Sequence, residues 1–432
     1  MTTTYSGFST NFTTLSDSSL NIDLFSNAIF ETYNVSSSNG SGWYSSQESY
    51  TTYTFFIGCL GFIVSANVDI TKNPYSSGQT CTIQYSGTSN GPFGTNGALQ
   101  SIYSIILTGT TNTNANAPAC IKDISENNAF SFILASNGGN LNFIIVGLKY
   151  GCNNPTSSLF GSGYTTNFTN TNETNDIIST TTTSSQFVND NSVIFPAYIC
   201  SIGNVSMVIS DYLYNTDYTD KGNTISWTTG EYWNWTLTSS TGPSTSTITN
   251  VSPTLTNATP TSFTYSIDND TGYISFFLIG PNNTQNTTSL YSGFTSLFNS
   301  VYSYNDILSS VVKENYQNST TSGWYSTNTN YKTYTFYVGN LAFVIGGNSD
   351  PNYDGGTTSY TIQYNGANNP FGQTDGPFGN NNPYNVFLTG YNSSGGTYVS
   401  IESINFNAFS FNFNNGSSGL YFIIIGPNPN NI

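Results

Sequence analysis

The chain is predicted to be all-β, built as three tandem β-sandwich domains that are jelly-roll-like, with immunoglobulin-like sandwiches as the alternative. Three observations predict this. One β-hairpin phrase occurs three times; the phrases around it recur in the same order; and short aromatic and β-branched runs are separated by Gly, Asn and Pro turns throughout the 432 residues. The hairpin is clearest in Tyr53-Thr-Phe-Phe-Ile-Gly-Cys-Leu-Gly-Phe-Ile-Val64. Its twin is Tyr334-Thr-Phe-Tyr-Val-Gly-Asn-Leu-Ala-Phe-Val-Ile345, and a weaker relative is Tyr198-Ile-Cys-Ser-Ile-Gly-Asn-Val-Ser-Met-Val-Ile209. A two-residue turn beginning with Gly suits type II′, which needs positive φ at its first central position. That turn pairs Ile57 with Leu60, Phe55 with Phe62 and Tyr53 with Val64, all on one face.

In chain order, residues 1–16 form a polar Ser/Thr arm. The first domain spans 17–154, the diverged second 155–286, and the third, a close repeat of the first, 287–432. Asp23, Asp176 and Asp306 each precede closely spaced apolar residues, which predicts a short capped helix entering each domain. Ser41-Gly-Trp-Tyr-Ser returns as Ser322-Gly-Trp-Tyr-Ser, and Thr82-Ile-Gln-Tyr as Thr361-Ile-Gln-Tyr. Gly91-Pro-Phe-Gly returns as Gly376-Pro-Phe-Gly, marking turns. Asn128-Ala-Phe-Ser-Phe matches Asn407-Ala-Phe-Ser-Phe, and Phe143-Ile-Ile-Val-Gly matches Phe422-Ile-Ile-Ile-Gly. The middle domain aligns through Phe263-Thr-Tyr-Ser-Ile and Phe276-Phe-Leu-Ile-Gly-Pro. Eight or nine short strands per domain favour the jelly roll over the seven-stranded alternative.

Composition narrows the function classes. Only 6% of residues are charged, with six Lys, no Arg and no His, and the net charge is −16. Six scattered lysines cannot neutralise a phosphate backbone, so nucleic acid is not an expected partner. With 32 Tyr and 30 Phe the chain is too aromatic to be disordered. Protonating 22 carboxylates would break few ion pairs, which fits a hot or acidic exterior. The window from Thr52 to Val68 is long enough to cross a bilayer, but it alternates with period two, so no membrane span is expected.

No catalytic residues emerge. Without His or Arg the usual serine, cysteine and metallohydrolase arrangements lack a base or ligand set, and the carboxylates are too dispersed for a glycosidase pair. Glu31 and Glu314 are the one further acidic position that recurs. No metal and no cofactor are expected, and no phosphate-cradling Gly-rich loop is present. Cys59, Cys81, Cys120 and Cys152 lie in the first domain and have no counterparts in the third. They are local staples or free thiols; four cysteines allow three pairings, of which Cys59–Cys81 with Cys120–Cys152 is one.

Trp43-Tyr44 and Trp324-Tyr325 occupy equivalent places and read as core. Trp233 and Trp235, unique to the middle domain, are the better candidates for a glycan or receptor contact. Fifteen N-x-[ST] triplets occur, including Asn34, Asn167, Asn234, Asn318 and Asn392. So Asn-, Ser- and Thr-rich a chain would produce about that number without selection for glycans.

A tandem array of nearly uncharged β-sandwiches without a catalytic set is most simply a structural or adhesive surface protein. The first residues have no basic n-region and no apolar h-region, so no signal peptide is expected. That points to a virion protein assembled inside its host rather than to an exported filament. In domain number and polar, Tyr-rich style the whole chain resembles the turret and spike proteins of icosahedral viruses of thermoacidophilic archaea. The resemblance implies homo-oligomeric assembly with other capsid subunits at the virion surface and contact with a host glycan or receptor. It carries over no residue roles. The alternatives are an extracellular filament or adhesin subunit, whose N-terminal arm donates a strand to its neighbour, and a glycan-binding module.

Overall fold

The computed structural model describes residues 29–148 with short gaps, the strands between 178 and 281, and residues 312–427 with gaps. Every regular element among them is a β-strand, and the strands fall into three runs. Unit 1 holds β1 (Ile29–Thr32), β2 (Gly42–Tyr44), β3 (Thr51–Ile57), β4 (Leu60–Ala66), β5 (Thr80–Ser86), β6 (Ile102–Thr110), β7 (Ala119–Ser125), β8 (Ala129–Leu134) and β9 (Asn140–Leu148). Unit 2 holds β10 (Ile178–Asn189), β11 (Ile194–Ile202), β12 (Val205–Ser210), β13 (Thr224–Ser226), β14 (Asn234–Ser240), β15 (Thr254–Thr259), β16 (Ser262–Ser266) and β17 (Tyr273–Pro281). Unit 3 holds β18 (Val312–Asn315), β19 (Gly323–Tyr325), β20 (Lys332–Val338), β21 (Leu341–Tyr353), β22 (Ser359–Asn365), β23 (Asn385–Tyr391), β24 (Val399–Asn405), β25 (Ala408–Phe413) and β26 (Ser418–Pro427). The polar arm and the three capped helices expected at Asp23, Asp176 and Asp306 lie outside the described residues.

All three hairpins pair in the register that the alternation predicts. Ile57 faces Leu60 and Phe55 faces Phe62; Cys200 faces Met207; Phe336 faces Phe343. Each unit is a two-layer sandwich. In unit 1 one sheet runs β1-β3-β4-β9-β6 and the other β2-β5-β8-β7. Unit 3 repeats this as β18-β20-β21-β26-β23 and β19-β22-β25-β24. In unit 2 the single strand β10 replaces the first two strands. It pairs with β11 in one sheet and, through Val188 and Asn189, with β13 in the other. The antiparallel pairs β4·β9 and β5·β8 are nested, as in a ribbon folded back and rolled into two sheets, which is the jelly-roll winding.

Between the layers lie three apolar cores. Trp43, Phe130 and Phe143 sit in the first, and Trp324, Phe409 and Phe422 in the third. The second gathers Val208, Phe263 and Phe276, and also takes Cys120 and Ile133 from unit 1 and Tyr421 from unit 3. The units therefore share their interiors. "Tandem" describes their order along the chain, not separate bodies.

The sharing follows a pseudo-threefold plan. The five-stranded sheet of unit 1 continues into the four-stranded sheet of unit 3 where β6 meets β24 in parallel, Thr110 beside Ile401. Unit 2 joins unit 1 in the same way through β14 and β7, with Ser240 beside Ile121. Unit 3 joins unit 2 through β23 and β15, with Tyr391 beside Leu255. Backbone bonds lock two of these seams: Thr111 N–H donates to Ile401 O at 3.0 Å, and Asn392 N–H to Leu255 O at 2.9 Å.

This plan assigns the repeated hairpin a face that sequence did not. Ile63, Val208 and Val344 belong to the cores of their own units. Pleating points their neighbours Phe62, Val64, Met207, Ile209, Phe343 and Ile345 to the opposite side, yet these are buried as well. The aromatic face of the hairpin packs between units: Phe55 meets Phe343 edge to face at 6.0 Å. Burial on both faces also explains Phe143-Ile-Ile-Val146 and Phe422-Ile-Ile-Ile425, apolar runs with no alternation.

Candidate functional surfaces

Where the three units meet, polar side chains act as fasteners. Thr108 Oγ1 accepts from Leu388 N–H at 3.1 Å, and the equivalent Thr389 Oγ1 accepts from Leu237 N–H at 3.0 Å. Asn385 donates to Ser65 O at 2.8 Å, and Asn142 to Val386 O at 3.1 Å. A pocket on the pseudo-axis is lined in threes, by Leu107, Leu237 and Leu388 and by Ala119, Pro253 and Val399. Thr108, Thr389, Gly109 and Gly390 complete its walls, and none of the lining side chains is ionisable.

Buried phenols form a second motif. Tyr50 and Tyr75 share a hydrogen bond of 2.7 Å, Tyr75 bonds Ser45 at 2.7 Å, and Tyr50 donates to Asn140. Unit 3 repeats this with Tyr331, Tyr353 and Ser326. Burial raises the phenols of Tyr50 and Tyr331 well above their ordinary pKa, so they stay neutral. The recurring acid is a brace: Glu31 accepts from Ser41, Thr54 and Tyr85, and Glu314 from Tyr364. Among the described residues no cluster of three or more His, Cys, Asp or Glu is arranged to hold a metal. The two ion pairs found among them both involve the exposed Lys72, with Glu48 and with Asp69.

Trp43 and Trp324 are fully buried, as their repeat suggested. Trp233 lies outside the described residues, and of Trp235 the backbone is described, paired with Leu278. Cys81 and Cys120 are free buried thiols, and Cys59 and Cys152 lie outside the described residues. Both are packing groups: Cys81 points into the core of unit 1, and burial pushes the Cys120 thiol up to about 12. Asn34 is exposed at a turn. Asn392 is buried in a seam, where a glycan has no room on the folded chain. Asn234 opens β14, and Asn167 and Asn318 lie outside the described residues. Among the described residues no helix is long and apolar enough to cross a membrane.

One exposed arrangement escaped the sequence reading. In unit 1 the half-buried ring of Tyr44 lies 4.5 Å from that of Tyr33, and Gln84 Nε2 donates to the Tyr44 hydroxyl at 2.6 Å. In unit 3 Tyr325 stacks on Tyr316 at 4.2 Å and 16°, and Gln363 donates to it at 2.5 Å. The signal was present in the repeated Gly-Trp-Tyr-Ser and Thr-Ile-Gln-Tyr phrases. What sequence did not reveal is that Trp turns inward and Tyr outward. Comparison with protein-family models, curated proteins and solved structures finds no match to this chain.

Proposed function

We propose that this chain is a non-enzymatic structural protein of a virion surface, a turret, spike or vertex component that assembles with copies of itself and with other capsid subunits. The observation that supports it best is the closed pseudo-threefold body. Three sandwich units in one chain supply the geometry of a trimer, a shape suited to a symmetric position on a shell. The charge-poor composition supports service at an acidic surface. Mass spectrometry and cryo-electron microscopy of purified virus particles test this reading. Stoichiometric copies at symmetry-related positions are expected; recovery from fibres on uninfected cells, and not from particles, overturns it.

One observation favours the filament reading. Among the described residues the edge strand β1 pairs with β3 alone, and its Phe30 is 54% exposed, so a strand from another subunit could add beside it. Regular fibres formed by the purified protein would favour that alternative.

A further inference from the structure

We propose that the outer faces of the four-stranded sheets in units 1 and 3 are two equivalent binding sites for a neutral carbohydrate. Tyr44 and Tyr325 are the stacking platforms, and Gln84 and Gln363 the amide contacts. The inference holds whether the protein sits on a virion or in a filament.

The argument begins with what the two repeats have kept. Even some buried positions have diverged: Cys81 corresponds to Tyr360, Cys120 to Ser400 and Ile133 to Asn412. On the outer face the Tyr–Gln pair has not, although Gln84 and Gln363 are exposed. Tyr44 on β2 pairs with Gln84 on β5, as Tyr325 on β19 pairs with Gln363 on β22.

Unit 2 separates what the fold requires from what it does not. The hydroxyl pair on this face is present in all three units, as Thr82 with Ser131, Thr224 with Thr264 and Thr361 with Ser410. It is part of the sandwich. At the Tyr–Gln position unit 2 has Val188 opposite Ser226, and its sheet forms nonetheless. Tyr and Gln are therefore not needed to build this sheet.

The chemistry favours a neutral polyhydroxylated ligand. Each platform is held in place by a neighbouring ring and by a hydrogen bond that the Gln side chain donates to its hydroxyl, which lowers the ordering cost of binding. The C–H face of a sugar ring packs on an aromatic plane, while the Gln amide keeps an acceptor oxygen and a second N–H for sugar hydroxyls. No charge is common to the two faces: at the matching bulges of β7 and β24 stand Lys122 and Glu402, of opposite sign. Asp123, beside Ser131, is Ser403 in unit 3. Two sites on one body also allow bivalent attachment to a repetitive glycan.

The test is a printed array of neutral and acidic oligosaccharides probed with the full chain, followed by titration calorimetry with the best neutral binder. Neutral oligosaccharides are expected to bind. Y44A/Q84A or Y325A/Q363A alone weakens apparent binding to the array at least about tenfold through lost avidity, and the four substitutions together abolish it. Q84A/Q363A changes exposed residues alone and weakens binding with an unchanged melting temperature, which separates a lost contact from a lost fold. W233A/W235A binds as the parent does. The proposal is overturned if the folded parent binds no glycan or acidic glycans alone, if the fourfold variant binds normally, or if the tryptophan variant is the one that loses binding.

Discussion

The seam between units 1 and 2 and the seam between units 3 and 1 have the same backbone and opposite interiors. In the first, Cys120 and Ile133 sit side by side in the core of unit 2. In the second the same places hold Ser400 and Asn412, both buried, and among the described residues neither the Ser400 hydroxyl nor either polar atom of the Asn412 amide has a partner. The parallel bridge forms in both. Seam geometry is thus set by the backbone and by the central apolar faces, while seam side chains adjust stability within it. A buried amide without a protein partner costs about 1–3 kcal/mol, unless ordered water satisfies it.

The sharpest way to break this comparison is to exchange the interiors. Ile133→Asn puts an unsatisfied amide into an apolar core and removes a packed side chain, and is expected to cost roughly 3–5 kcal/mol in denaturant unfolding. The reverse change, Asn412→Ile, is expected to stabilise by about 1–3 kcal/mol in the same assay. A loss instead would mean that bound water satisfies the amide. Thr389→Val removes the acceptor of Leu237 N–H at the centre and should cost about 1–2 kcal/mol, whereas Thr389→Ser should be close to neutral.

The pH profile is the gentlest probe, and it separates units 1 and 3, which carry the described buried phenol clusters, from the seams. A phenol whose folded pKa is raised gives stability that is complete below the ordinary value of 10 and is lost as pH climbs above it. On the acid side two neighbours act in opposite directions. Burial raises the Glu48 pKa, so protonating it on acidification favours the fold. A hydrogen bond from Thr71 lowers that of Asp69, whose contribution is lost as pH falls through its folded value. Melting temperatures are therefore expected to vary by a few degrees between pH 7 and 3 and to fall steeply above pH 10.

Hairpins, repeats and registers were legible because they depend on period-two patterning and local turns, as Phe55 and Phe62 show. Alternation reveals which residues share a face but not what covers it, so the burial of Phe62 and Val64 between units was not legible from the hairpin alone. The clue lay elsewhere, in the unbroken run Phe143-Ile-Ile-Val146. The seams left no signal, since the strands that meet there pair at a single residue each, as at Thr110 and Ile401. At the candidate sites the residues were visible as repeated phrases, but the outward turn of Tyr44 beside the buried Trp43 depends on which sheet face the opposing layer covers.

The ring closes late. Asn385 reaches back to Ser65 across 320 residues of chain, and Leu388 to Thr108 across 280. Contacts so distant in sequence form slowly, because the closure entropy of a long loop must be lost before they contribute. During synthesis the central face of unit 1 is complete long before the strands that cover it exist, and an uncovered apolar sheet face is prone to aggregation. The closed form should therefore be slow to reach and, once β23 and β24 have docked, slow to leave.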